Sequence, residues 1–233
     1  MPTKRRVKNW TVLTLAFTSG FIIMSIELLG GRVLAPYFGS SIYVWGSIIT
    51  VFMVALSFGY LIGGHLSLKS PRLSKYGLFF VAAAITAVPT ILFGDAMMDW
   101  VFLRFEDPRY GSLLAAMLLF FVPTAILGMI APYSVRLLVE ETHHSGRVAG
   151  GLYFISTLGS ALGTLLTSFY FVLLFEINEI LVTMVIALAC CFLIAMIVDR
   201  KVGTVVETEV ETEVETEVET EVETEVETEV GAK

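Results

Sequence analysis

The chain alternates long apolar runs with short polar breaks, and the length of the runs decides the reading. The first run covers residues 10–31, and Glu27 is its one ionisable side chain. Further runs cover residues 42–66, 76–93, 111–130, 148–174 and 178–198. At 1.5 Å of rise per residue, runs of about 20 residues cross a hydrocarbon core about 30 Å thick. The pattern predicts six transmembrane helices, with Trp10 at an interface where amphipathic rings collect. The first run is too long for the apolar part of a signal peptide and ends in Gly-Gly-Arg, so it is expected to remain as a helix.

Between the runs the pattern predicts shorter elements. Residues 32–41 hold Pro36 and Gly39 and read as a turn. Pro89 and Pro123 lie inside the third and fourth runs, where proline bends a helix. Met97, Met98, Val101, Phe102 and Phe105 recur at near-helical spacing among charges, so part of 94–110 is expected to lie flat in the interface. Residues 131–147 read as a short interfacial helix ending at Ser145-Gly146.

Composition supports the membrane class. Hydrophobic residues make up 56% and charged residues 16%, with a mean hydropathy of +0.80. A soluble domain is nearer about 45–50% and about 25%. The formal charge of −7 comes from residues 207–230, six copies of Glu-Thr-Glu-Val that hold 12 of the 22 acidic residues. The body, residues 1–202, is therefore basic and forms one membrane domain; residues 203–233 form a low-complexity tail. Burying the tail's Val residues does not offset its ordering entropy and charge repulsion, so disorder is expected. Eleven Lys/Arg fall on one side of the six-helix arrangement, against Arg32, Arg104 and Arg109 on the other. The positive-inside rule then puts both termini in the cytoplasm of a plasma-membrane protein.

Glu27 is the leading candidate for function, because an ionisable group inside a membrane helix is costly. Arg32, Tyr37 and Ser41 complete a candidate polar or solute site near the end of the first helix. Gly30-Gly31 offers a place to unwind and bring Arg32 to Glu27. A structural ion pair closing the bundle competes with a solute or proton site. Ala55, Gly59 and Gly63 form one close-packing face on the second helix. Ser156 and Ser160, with Gly159 and Gly163 beside them, form another on the fifth. Glu140, His143 and His144 read as a solvated turn, since adjacent histidines diverge by about 100° on a helix. Cys190 and Cys191 read as packing residues. No phosphate loop, nucleophile elbow or His-Glu-x-x-His is present, so no enzyme, cofactor, metal or nucleic-acid role is expected.

Several blocks resemble a known family. They are Glu27 through Ser41, Tyr43 through Ile49, Ala55 through Gly64, Gly128 through Arg136, and Gly146 through Gly163. Together they resemble the membrane domain of proteins in which a transmembrane region is fused to a spermidine-synthase-like domain. The soluble aminopropyltransferase half of that family has no counterpart here. The membrane half also looks like one six-helix half of a major-facilitator transporter. In this chain the segment from Gly63-Gly64 to Pro71-Arg72 is similar to that superfamily's helix 2–3 motif, without its aspartate and second glycine. The resemblance implies a transporter-like or solute-binding, polyamine-linked membrane protein. Its partners would be the lipid bilayer and a second copy in a homodimer. The alternative is a non-catalytic membrane anchor for a separately encoded soluble synthase. A polyamine would call for several carboxylates, and Glu27 alone is intramembrane.

Overall fold

In a computed structural model the described residues are 2–68, 71–105, 107–139 and 145–201, with side chains from residue 5 onward. They are helical throughout, with no strand among them. The elements are α1 (Pro2–Phe38), α2 (Ile42–Ser67), α3 (Leu73–Arg104), α4 (Pro108–Gly128), α5 (Ile130–Leu138) and α6 (Ser145–Leu166). A π-helical turn (Thr167–Phe171) and α7 (Val172–Leu174) extend α6, and α8 (Ile177–Lys201) follows. Among the described residues six spans are long and apolar enough to cross a membrane: α1, α2, α3, α4 with α5, α6 through α7, and α8. The repeat tail and Glu140, His143 and His144 lie outside the described residues.

Several helices run further than their apolar stretches. The first does not stop at Gly31 but continues to Phe38, because Leu34 and Phe38 are buried and keep it packed. Gly30 and Gly31 stay helical; each gives room to a side chain from another helix. The turn shrinks to residues 39–41, where Gly39 adopts φ +74°, a conformation that favours glycine. Residues 94–104 do not lie flat but prolong α3. Met98 and Val101 are buried, and Phe102 sets its ring edge-on to Tyr37 and Phe38 of α1.

The fourth span differs in the same way. It begins at Pro108, with Asp107 as N-cap accepting from the Arg109 N–H at 3.0 Å. After a single turn residue, Met129, the chain resumes as α5 and stays in the bundle, with Tyr133, Ser134 and Leu137 buried. Residues 130–138 are therefore not an interfacial helix, and Ser145-Gly146 begins α6 instead of ending one. Tyr133 fixes α5 to the start of α3: its hydroxyl accepts from the Arg72 N–H at 3.1 Å. The Tyr76 hydroxyl adds a 2.7 Å hydrogen bond to Ser134 Oγ, and the Tyr76 and Tyr133 rings stack.

Glycine sets the helix pairing. A Cβ on Gly159 would meet the Phe17 carbonyl, one on Gly163 the Phe21 carbonyl, and one on Gly20 the Ser156 carbonyl. So α1 and α6 lie backbone against backbone, and Ser160 Oγ donates to the Gly20 carbonyl at 3.2 Å. Likewise Gly59 lies against Ala125 and Gly128, and Gly63 against Met129, with Ala55 buried on the same face. This locks α2 onto the α4–α5 junction. Gly77 of α3 lies against Ala195 and Phe192 of α8. Pro123 has no N–H for the Leu119 carbonyl four residues back, and Thr90 of α3 supplies the missing donor at 2.9 Å.

Candidate functional site

Two tightly paired units, α1 with α6 and α2 with α4–α5, leave a cleft of about 510 Å³ between them. Its floor is the α1 stripe Ala16, Ser19, Gly20, Ile23 and Met24. One wall carries Leu56 and Tyr60 of α2 with Leu127, Gly128, Ile130, Ala131 and Pro132 of the α4–α5 junction; the other carries Leu152, Tyr153, Ser156, Thr157 and Ser160 of α6. The lining is mainly apolar with a few hydroxyls, the usual make-up of a small-molecule site. Pro132 cannot donate to the carbonyl four residues earlier, so the Gly128 carbonyl at the cleft wall lacks its intrahelical donor.

Glu27 lies just beyond the lining of the cleft. It follows Ile23 and Met24 by four and three residues, which places it on the same α1 face about 4.5–6 Å further along. It is half-buried, and among the described residues its carboxylate has no hydrogen-bond or ion-pair partner.

The four candidate residues at this end do not come together. Arg32 is exposed and forms no ion pair with Glu27. Five positions on an unbroken helix turn the two side chains well apart, and the unwinding that would reunite them does not occur. Tyr37 lies ten residues beyond Glu27, about 15 Å along the axis, and packs on Phe102. Ser41 is the exposed N-cap of α2 and makes no side-chain capping bond. The α6 residues divide: Gly159 and Gly163 are buried against α1, while Ser156 and Ser160 also line the cleft.

Tyr60, Tyr153, Ser19 and the Gly128 carbonyl were not singled out as site residues from the sequence. One signal was present: Gly128-Met-Ile-Ala-Pro132 puts a proline four residues after a glycine, which marks a freed carbonyl. The two tyrosines carry no such signal, since they meet at the cleft only through the packing of α2 and α6 on other helices. No protein-family model, curated protein or solved structure matches this chain.

Proposed function

We propose that this protein is a transporter-like, solute-binding protein of the plasma membrane, one six-helix unit comparable to half of a major-facilitator transporter. Its solute site is the cleft between α1, α2, α4–α5 and α6. The observation that carries the reading is Glu27, a carboxylate without a partner among the described residues, which lies one helical turn beyond the α1 residues that line the cleft. Holding such a group at membrane depth costs several kcal/mol unless water or a counter-charge reaches it. A position where no described residue supplies that counter-charge is suited to one that arrives with the solute.

The chemistry around it favours a cation. The freed Gly128 carbonyl and the hydroxyls of Ser19, Ser156 and Ser160 offer acceptor oxygens. Tyr60 and Tyr153 offer ring faces, which attract ammonium groups. Among the described residues no Lys or Arg lines the cleft. An organic ammonium with an alkyl chain fits a lining of this kind, and the polyamine link belongs to this proposal.

The test is uptake of radiolabelled putrescine and spermidine into proteoliposomes, with Glu27→Gln alongside. Uptake above empty vesicles is expected, falling about tenfold or more in the variant, which corresponds to about 1.4 kcal/mol. Uptake equal to that of empty vesicles would sink the proposal.

A further inference from the structure

We propose that the Trp45 ring is a gate. It covers Glu27 from the end of the bundle that carries the turn at residues 39–41, and it swings aside to let a solute pass between Glu27 and that end. This deepens the solute-site reading and rests on it, although the gate itself can be tested without a solute.

The order of residues along α1 sets the geometry. Met24 is the last α1 residue that lines the cleft. Glu27 stands three residues on, and Gly31 a further four, which puts Gly31 one turn beyond Glu27 on the same face. A Cβ on Gly31 would meet Cη2 and Cζ2 of Trp45 at 2.7 and 2.9 Å. The edge of the indole therefore stands where a side chain of residue 31 would begin. Side chains of a helix lean toward its N-terminus, so that place lies over the turn between Glu27 and Gly31. The ring thus comes next after the carboxylate on the way from the cleft to the turn, and glycine at 31 is what admits it.

Trp45 differs from the other two indoles. Trp10 and Trp100 are 63% and 50% exposed, as befits rings that anchor at an interface. Trp45 is half-buried and turned inward onto α1. It differs as well from the groups that close this end with it. Phe38, Phe52 and Phe120 are buried, and Ser47 and Ser112 are buried and hydrogen-bonded to each other. The Trp45 indole N–H has no hydrogen-bond partner among the described residues. Beside it on α2, a Cβ on Gly46 would meet nothing within 4 Å. Of these groups, Trp45 is the one that can turn away without breaking a hydrogen bond or exposing a fully buried ring.

The cover also suits the solute class. An ammonium is drawn to the face of an aromatic ring, and to an indole most of all. A linear polyamine is narrow, so displacing one ring opens a way for it while the buried rings behind stay packed.

The experiment uses the full chain in a Cys190→Ser, Cys191→Ser background with Met24→Cys as the reporter. A charged, membrane-impermeant thiol reagent is applied to sealed vesicles from the side on which it labels Ser40→Cys. Met24→Cys should react slowly in the parent and about tenfold or more faster once Trp45→Ala is added. Tyr43→Ala, which removes an exposed ring two residues away, should leave the rate unchanged. Ala116→Cys, buried in α4, should stay unlabelled throughout. If it labels with Trp45→Ala, that variant has lost its fold, and Gly31→Ala, whose methyl group pushes the ring aside, decides by the same rise in Met24→Cys labelling. An unchanged rate in the folded variant, or an equal rise with Tyr43→Ala, would overturn the gate. Putrescine and spermidine should slow labelling in the Trp45→Ala protein about tenfold or more, and lose that protection with Glu27→Gln. Faster labelling with no protection overturns the solute reading, and with it a gate for solute, while leaving Trp45 as the cover of this end.

Discussion

The two ends of the bundle use glycine in opposite ways. Toward the turn at residues 39–41, glycines face rings: Gly31 lies under Trp45, Gly30 against Phe120, and Gly111 against Phe38. A hydrogen bond of 3.0 Å between Ser47 and Ser112 joins α2 to α4 there, and the rings of Phe52 and Phe120 meet beside it. Toward the other end, Gly159 and Gly163 face the backbone of α1, and Gly59 and Gly63 that of the α4–α5 junction. A ring over a glycine fills the space between helices and seals it. Backbone against backbone draws two helices together and leaves little side-chain volume to reach a third. The first arrangement closes one end of the protein; the second yields two tight pairs with a cleft between them.

The largest expected effect comes from breaking a backbone pair. Gly159→Leu forces a side chain into the Phe17 carbonyl, and rigid backbone cannot yield as a rotamer can. We expect a loss of about 3 kcal/mol or more, seen as aggregation or a strongly lowered melting temperature in detergent. Gly150→Leu on the open face of the same helix should stay within about 0.5 kcal/mol of the parent. Equal damage from the two would mean that the α1–α6 contact is not what holds this pair.

The sealed end should respond less. In Gly31→Val the Trp45 ring must move, at about 1–2 kcal/mol. With Trp10→Phe and Trp100→Phe leaving Trp45 as the sole indole, its emission should shift to the red as the seal loosens. An unchanged spectrum would show that the ring does not close this end.

A smaller effect is expected at the α3–α4 contact. Thr90→Val removes the donor that serves the Leu119 carbonyl and should cost about 1 kcal/mol. In a Pro123→Ala background the helix supplies its own N–H, and the Thr90→Val cost should shrink toward zero. A cost that is unchanged there would detach Thr90 from the proline. The smallest effect is expected from deleting residues 203–233, since the apolar packing lies within the six spans. Melting temperature and cysteine-accessibility topology should match the full chain, and a truncated form that aggregates would give the repeat a structural role.

The glycine seam also shows where reading the chain stops. The spacing of Gly159 and Gly163, and of Ala55, Gly59 and Gly63, is visible in the sequence, because helical periodicity places each set on one face. Which helix meets that face is not visible, because small residues accept many neighbours. Helix ends were misplaced for a related reason. Apolar runs mark where lipid contact ends, whereas α1 and α3 end together, where Phe102 stops packing on Tyr37 and Phe38.

By itself the sequence determined the membrane class and the six spans, since hydropathy and length act locally and need no partner. It also singled out Glu27, because a carboxylate within an apolar run is conspicuous whatever surrounds it. Only the tertiary structure decided that Glu27 and Arg32 stay apart, since an unbroken α1 turns them to different faces. Only it revealed the cleft, whose walls come from helices far apart in the chain and whose volume is what two close pairings leave unfilled.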